Sequence, residues 1–463
     1  MAYSIKTLFR FLLVCLISFQ VGHLLAADAV VAESATIHDD QGHDHDHHGH
    51  DHSSHDHGHD HGDDGHGDHQ EYSYDDYSNS CGTPAVPYHP HGYDPTGTAI
   101  HHISDANVYT ILDWIRIPLP TILWSKEDGL KTFMSSKFGP GHHDDGHHGY
   151  HGYVMHHGAI YRVLCPDYRT KDHFDVEGFN PKKSKTTEGK EIDKTYAVIG
   201  GKAYELEQKT IWDGGMLGGG VTSFYDLSLT KNAVSMLLIS LLMFWLFRRA
   251  AGAYKNREGQ APSGVQSFLE PMVQFVRDEA AIPFIGEKKY EKYLPMLLAI
   301  FFFILGLNLW GQVPFLGSTN VTGSLTVTMI LAVIVFLVVT FVGNKHYWQH
   351  IFWMPGVPIF LKPLLAVVEI MGMFIKPLTL MLRLAGNISA GHIAILSFIG
   401  LIFIFGNAGE SIGGGTIGTA LAIPLTLFMM AIELIVAFIQ AFVFTVLTAS
   451  YIGAATEEHH DHH

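Results

Sequence analysis

The sequence predicts an all-α polytopic membrane protein with about five membrane crossings, two of them long, strongly inclined helices. A disordered His-rich segment and a small β-containing exported region precede them. Three observations carry this expectation. Apolar runs fill the second half of the chain at Asn232–Phe247, Tyr293–Trp310, Leu325–Val342, Ile359–Phe405 and Ile417–Ala455, lengths suited to an apolar slab ~30 Å thick. Of 463 residues, 47% are hydrophobic and only 16% are Asp, Glu, Lys or Arg, which suits a membrane chain of more than one domain. The opening, MAYSIKTLFRFLLVCLISFQVGHLLAADA, has Lys6 and Arg10, then an apolar core, then small residues around Ala26–Ala29, the form of a secretory leader.

Residues 1–27 are therefore expected to be a signal peptide, residues 28–98 a His/Asp-rich disordered segment and residues 99–229 an exported region. A membrane domain at 230–455 and a cytoplasmic tail at 456–463 complete the division. The formal charge is −16 with the 33 histidines taken as neutral, so it depends strongly on pH between about 5 and 8. Such a balance gives no support to a nucleic-acid partner.

From His38 to His69 the chain is almost entirely His, Asp, Gly and Ser, and such a composition cannot bury a core. Its imidazoles, His43, His45, His47 and His48 among them, are candidates for loose binding of zinc or nickel without fixed geometry. No other cofactor is expected. A second cluster, GHHDDGHHGYHGYVMHHG at 141–158, invites the same reading with more weight, because its flanks look folded. With the leader removed, Cys81 and Cys165 remain, and an oxidising compartment permits a disulfide between them. The sequence leaves that pairing and two free thiols equally open.

Between Ala99 and Gly220, aromatic and β-branched runs broken by Pro, Gly and charge predict a small, mostly β region. No nucleophile elbow, phosphate loop or spaced Cys/His zinc site occurs in it, and the chain is expected not to be an enzyme in itself. The basic stretches RRAAGAYKNR, EKKYEKY and GNKHYWQH belong on the cytoplasmic side, while PFLGSTNVTGS and GNAGESIGGGTIG belong outside. Five crossings then leave the N-terminus periplasmic and the C-terminus cytoplasmic. The segment Ser267–Ala280 is too short and charged to span and is expected along the interface. The last two runs, near forty residues each, would measure about 55–60 Å as helix, so they must incline, with breaks permitted near Pro363, Pro377 and Pro424.

Arg383 stands in the middle of EIMGMFIKPLTLMLRLAGNISAG, where a fixed charge costs roughly 2.5–3.5 kcal/mol by insertion scales. At about 100° per residue, Glu369, Lys376 and Arg383 share one helix face, with Asn387 one turn on. Ala385, Gly386, Ser389, Ala390 and Gly391 are small and suit close approach of another helix. On the last run Thr426, Glu433 and Gln440 recur at a seven-residue step, again on one face. Two buried polar seams are thus expected, more heavily charged than interhelical glue requires.

The stretches LRLAGNISAGH and ELIVAFIQAFVFTVLTASYI resemble subunit a of the membrane sector (Fo) of bacterial F-type ATP synthase, and the likeness covers roughly Asp226 to Ala455. It implies two long, nearly horizontal helices around a rotating c-ring in the cell inner membrane. It also implies an arginine, here Arg383, facing the ring's proton-carrying carboxylate. The c-ring, subunit b, the remaining Fo and F1 subunits and the lipid bilayer are the implied partners. The family's acid–imidazole pair falls on His392 and Glu433. The phenylalanine often found two residues after the arginine is Ala385 here, which is expected to loosen packing against the rotor. HHISD before PLPTILW resembles an N-terminal extension found in some bacterial members.

The expected topology puts His392 and Glu433 on the periplasmic side of a shared Arg383/Gln440 level and Glu369 and Lys376 on the cytoplasmic side. Such an order suits two offset half-paths for protons. The alternative is a metal-cation transporter with a His-rich exported tail. That reading needs intramembrane His/Asp ligand sets, and His392 has no second ligand of that kind nearby in sequence.

Overall fold

The computed structural model describes residues 83–84, 104–111, 115–141, 144–185, 191–210, 222–256, 260–313, 319–354, 357–406 and 411–457. The leader, the His38–His69 stretch with its candidate ligands His43, His45, His47 and His48, and residues 458–463 lie outside them.

Alternation sets the β region. In the strand Pro120–Ser125, buried residues occupy every second position, as a strand with one covered face requires. It pairs antiparallel with Gly129–Met134 on one side and Phe224–Asp226 on the other. A larger antiparallel sheet runs in the order Gly178–Lys185, Glu191–Ile199, Lys202–Glu207, Ala159–Val163, Tyr153–His156, and Thr83–Pro84 adds to the edge of Lys202–Glu207. Arg162 ties the sheets together. Its side chain is 1% exposed, and its guanidinium donates to Asp128 Oδ2 at 2.7 Å, Glu127 Oε2 at 3.0 Å and Ser223 Oγ at 2.6 Å. A buried guanidinium is tolerable when matched in this way. Cys165, also buried, is disulfide-bonded, which settles the open question of a free thiol at that position. Its partner lies outside the described residues; Cys81 stands two positions before the Thr83–Pro84 strand in sequence.

The β region docks on the ends of the helices. Asp105 Oδ1 accepts the Asn232 N–H at 3.1 Å and its Oδ2 accepts the Thr230 hydroxyl at 2.7 Å, placing a carboxylate at the positive end of the first helix. Trp310 Nε1 donates to Tyr109 Oη at 3.2 Å.

The helices are α1 Lys231–Asn256, α2 Val265–Val276, α3 Ile282–Ile285, α4 Tyr290–Gln312, α5 Leu325–Val342, α6 Lys345–Phe352, α7 Lys362–Phe405 and α8 Ile412–Thr456. A π-helical turn, Arg277–Ala281, joins α2 to α3. Among the described residues, α1, α4, α5, α7 and α8 are the five helices long and apolar enough to cross a membrane. The five runs read from the sequence coincide with them. The short α6 within the expected cytoplasmic connection was not foreseen.

α7 has 44 residues and α8 has 45, which is about 66–68 Å each, more than twice the hydrocarbon thickness. Both continue unbroken through Pro377 and Pro424, so the breaks permitted there are not used and inclination alone fits them to a bilayer. Pro363 sits in the first turn of α7, where its missing N–H is no loss.

The core forms around α4, whose Leu297, Ile300, Phe301, Ile304 and Leu307 are fully buried. Against it α8 presents Ala437, Ala441, Phe444, Ala449, Ile452 and Ala455, a mostly small stripe that brings backbones together. The last turn of α8 is held by two neighbours: the Thr456 carbonyl accepts Lys289 Nζ at 2.7 Å and Asn344 Nδ2 at 3.2 Å, and the Ala455 carbonyl accepts the Asn344 N–H at 3.0 Å. A cation there also complements the negative end of the helix.

Close approach has a limit that can be tested at Gly453. A Cβ at this position would lie 1.9 Å from the Phe284 carbonyl oxygen, and backbone cannot yield as a side-chain tip can. Gly453→Ala is expected to lower the detergent-solubilised chain's unfolding temperature by several degrees, corresponding to about 1–3 kcal/mol of overpacking. An unchanged transition in a thermal melt would show that the contact does not limit stability.

Candidate functional site

Helical phase sorts the polar residues of α7. Nine positions, about two and a half turns, separate Arg383 from His392, so the two side chains leave the helix on opposite faces. The inward face carries Leu380, Leu384, Ala385, Ile388 and Gly391, all buried. The outward face carries Lys376, Leu382, Arg383, Gly386, Asn387 and Ala390, all exposed.

His392 turns inward to Glu433 of α8. Its Nδ1 lies 2.5 Å from Glu433 Oε1, with side-chain exposures of 12% and 3%. The approach is not aligned as a hydrogen bond, and neither atom has another hydrogen-bond partner among the described residues. Two glycines make the room. A Cβ at Gly391 would meet Glu433 Oε1 at 2.9 Å, and one at Gly311 would meet the Thr319 carbonyl oxygen at 2.6 Å with His392 Nε2 at 3.8 Å.

Polar groups from α4 and the connection to α5 line the same interior. Gln312 Nε2 donates to the Glu433 carbonyl at 2.8 Å, and Asn308 Nδ2 donates to the Ala437 carbonyl at 3.1 Å. Asn308 Oδ1 in turn accepts the Thr322 hydroxyl at 2.6 Å. Ser389 Oγ of α7 donates to the Gly323 carbonyl at 3.1 Å, and Asn320 Oδ1 accepts the Gly323 N–H at 3.1 Å. Asn308, Gln312, Asn320 and Thr322 were missed in the sequence. The signal was present, since Asn308 and Gln312 stand four apart, one turn, in the otherwise apolar run FFFILGLNLWGQ.

A second polar group lies further along α7. Lys376 Nζ sits 5.6 Å from the centre of the Tyr451 ring, and Tyr347, Lys376 and Tyr451 line one cavity. Burial, with a further contribution from the Glu369 carboxylate, raises the Tyr347 phenol above its ordinary pKa. Lys376 beside Tyr451, His392 beside Glu433, and Gly418 against Leu401 and Ile402 fix α7 and α8 as antiparallel. Interpolating between these pairs puts Arg383 level with the turn of α8 that holds Gln440.

Two expectations need correction. The α7 stripe is not a buried seam: Lys376, Arg383 and Asn387 are exposed and Glu369 is partly so, whereas Glu433 and Gln440 of α8 are buried. The two polar rows therefore face different ways, because the apolar residues of α7 that pack on the chain's own core point, on average, about a third of a turn away from Arg383. Ala385 is 2% exposed, so it fills the interior and does not shape an outer packing surface. The group of three possible metal ligands found among the described residues, Asp145, His156 and His157, falls within the His-rich cluster at 141–158 that the sequence singled out.

Arg383 has no carboxylate partner and no hydrogen bond among the described residues, and Leu382 immediately before it and Leu378 further down the helix are 51% and 50% exposed. Five apolar helices bearing an outward arginine and an interior acid–imidazole pair define a multi-pass membrane protein with ionisable groups along its two longest helices. The family model for the ATP synthase A chain matches residues 233–453, and a domain of unknown function (DUF8433) matches residues 98–194. ATP synthase subunit a 2 of Chlorobaculum tepidum is 39% identical, over 52% of this chain and 67% of the relative. Subunit a of Myxococcus xanthus is 38% identical over 51% and 77%, and that of Anaeromyxobacter dehalogenans 36% identical over 60% and 70%. The chain belongs to the ATP synthase subunit a family.

The glycine at 391 offers a test of the interior pair that leaves both of its members in place. Gly391→Ala should raise intrinsic helix propensity by roughly 0.8–1.0 kcal/mol, yet it presses a methyl on the Glu433 carboxylate. The expected result is retained insertion and helix content with proton flux through the assembled membrane sector reduced several-fold. Full flux, measured in reconstituted vesicles, would detach the Glu433 position from function.

Proposed function

We propose that this chain is the stator of a proton channel in the ATP synthase membrane sector, with Arg383 coupling proton passage to the turning of a c-ring. The carrying observation is that Arg383 projects from an apolar outer surface without a counter-charge among the described residues. A guanidinium effectively never deprotonates, and a bare charge among exposed leucines is costly in lipid. Its natural complement is an ionised carboxylate carried past it on another subunit.

The pair His392 and Glu433, supported by Asn308, Gln312 and Ser389, forms the outer, periplasmic half-path in this reading. Imidazole suits proton relay near neutral pH. Glu369, Lys376, Tyr347 and Tyr451 border the inner, cytoplasmic half-path, and Gln440 and Asn387 flank the level of Arg383. Along α7 the two groups are separated by Arg383, about 10 Å from Lys376 and 13 Å from His392 at 1.5 Å per residue. A proton entering on one side cannot hop past a fixed positive charge, so it must ride on the rotor carboxylate to reach the other side. Each crossing yields about 2.3 kcal/mol per 100 mV of membrane potential. The chain performs no bond chemistry itself; ATP formation falls to other subunits of the complex, and subunit b is a further neighbour. An inner-membrane location with an exported N-terminus fits this assignment, as does the disulfide at Cys165. The metal-cation transporter alternative draws no support from the relatives.

Arg383→Ala is expected to abolish ATP-driven acidification and ATP synthesis in reconstituted vesicles while passive proton leak persists or rises. Arg383→Lys should fail nearly as badly, because an ammonium lacks the planar fork and can shed its proton when desolvated. Wild-type pumping by the alanine variant would make the arginine structural.

Exchanging His392 and Glu433 for each other should keep several-fold more flux than replacing either by leucine. Equal losses in the same vesicle assay would assign the pair to packing.

A further inference from the structure

In the β region, the strands Tyr153–His156 and Ala159–Val163 are joined by a two-residue turn, His157-Gly158, with His156 opposite Ala159. Both turn residues have positive φ, 49° at His157 and 74° at Gly158. Tight hairpins of this kind want Asn or Asp followed by Gly, and positive φ is uncommon for other residues, though histidine tolerates it better than most. His157 is nevertheless held in place by its own backbone, whose N–H donates to Asp145 Oδ1 at 2.7 Å.

The same carboxylate gathers both imidazoles. His156 Nδ1 lies 2.9 Å from Asp145 Oδ1 and His157 Nδ1 lies 3.9 Å from it, and the two rings are 4.0 Å apart. Phe179 stacks on the His156 ring at 4.3 Å and fixes its plane. His156 is 11% exposed, Asp145 30% and His157 51%, so the cluster has a packed floor and an open mouth.

From this geometry we infer that Asp145, His156 and His157 form a three-ligand site for a zinc-like transition-metal ion. One ligand atom from each lies within 4.8 Å of the others. Metal–ligand bonds of about 2.0–2.2 Å in tetrahedral arrangement put ligand atoms roughly 3.3–3.5 Å apart, and the observed 2.9 Å and 3.9 Å bracket that separation. Binding requires side-chain rotations of a few tenths of an ångström and loss of the proton between His156 and Asp145. Two imidazoles with one carboxylate favour zinc, copper or nickel over magnesium or calcium. The open side at His157 leaves a fourth position for water.

This site differs in kind from the His38–His69 stretch, whose many imidazoles offer interchangeable ligands. Here one ion would pin the loop containing Asp145 to the hairpin turn. The test uses the full chain in detergent and cobalt(II) as a spectroscopic probe, because four-coordinate cobalt absorbs visibly and six-coordinate cobalt barely does. Wild type should show a four-coordinate band on the first equivalent, bleached by one equivalent of zinc. His157→Asn suits the positive φ better than histidine does, and Asp145→Asn keeps an oxygen for the His157 N–H. Each should weaken the first-equivalent affinity about tenfold or more, while His157→Asn leaves the metal-free unfolding temperature unchanged or higher. Absence of the band in wild type overturns the site regardless of the variants. An undiminished band in His157→Asn overturns it as well, since the metal would then reside elsewhere, on the His-rich stretch or other donors.

Discussion

A carboxylate that is 3% exposed among apolar helices must be given partners and space, and much of this fold can be read as the means of doing so. Glu433 receives His392 from α7, while Gln312 of α4 anchors its backbone. The glycines at 311 and 391 keep side chains out of the volume these groups occupy. Three helices and the folded connection after α4 therefore converge on one point. Unpaired, a buried charge of this kind would cost several kcal/mol, and the close packing of α7 on α8 is inseparable from its accommodation.

The same two helices answer two demands at once because their periodicity separates the faces. Inward positions of α7 are small or aliphatic and complete the core, and outward positions at the level of Arg383 mix glycine, alanine and asparagine with the single arginine. An outer surface that smooth accepts another helix closely. The interior pair and the outer cation sit on opposite faces of one rod, so a proton held inside is separated from the outer surface by the helix backbone itself except where the polar groups lead around it.

Helix positions were legible in the sequence because each apolar run has a length and a boundary that no other secondary structure fits. The identities of Arg383, His392, Glu433 and Gln440 stood out for a related reason: ionisable or amide groups in such runs have few innocent explanations. Which way each pointed was less legible. A shared face on one helix can be computed from spacing, but whether that face meets the chain's own core or another subunit depends on the neighbours: the stripe of Lys376, Arg383 and Asn387 was expected as a buried seam and is exposed in this chain. Asn308 and Gln312 escaped notice because amides in membrane helices usually serve as glue, and Asn320 because it lies in the connection between α4 and α5. In the β region the pattern of aromatic and β-branched runs was enough for the class, while the convergence of Asp145 on His156 and His157 depends on a hairpin register that spacing does not reveal. The bonded state of Cys165 likewise needed coordinates.

The unbroken course of α7 through Pro377 makes the helix a ruler with a fixed phase. Lys376, Arg383 and His392 are spaced seven and nine residues apart on one continuous spiral, so neither their heights nor their directions can be adjusted independently. One residue inserted between Arg383 and His392 would swing the imidazole about 100° around the axis and away from Glu433, although every side chain would still be present. Two whole turns, near seven residues, would restore the direction and shift the height by about 10 Å. The chemistry of this segment therefore tolerates exchange of one residue for another far better than a change in their number.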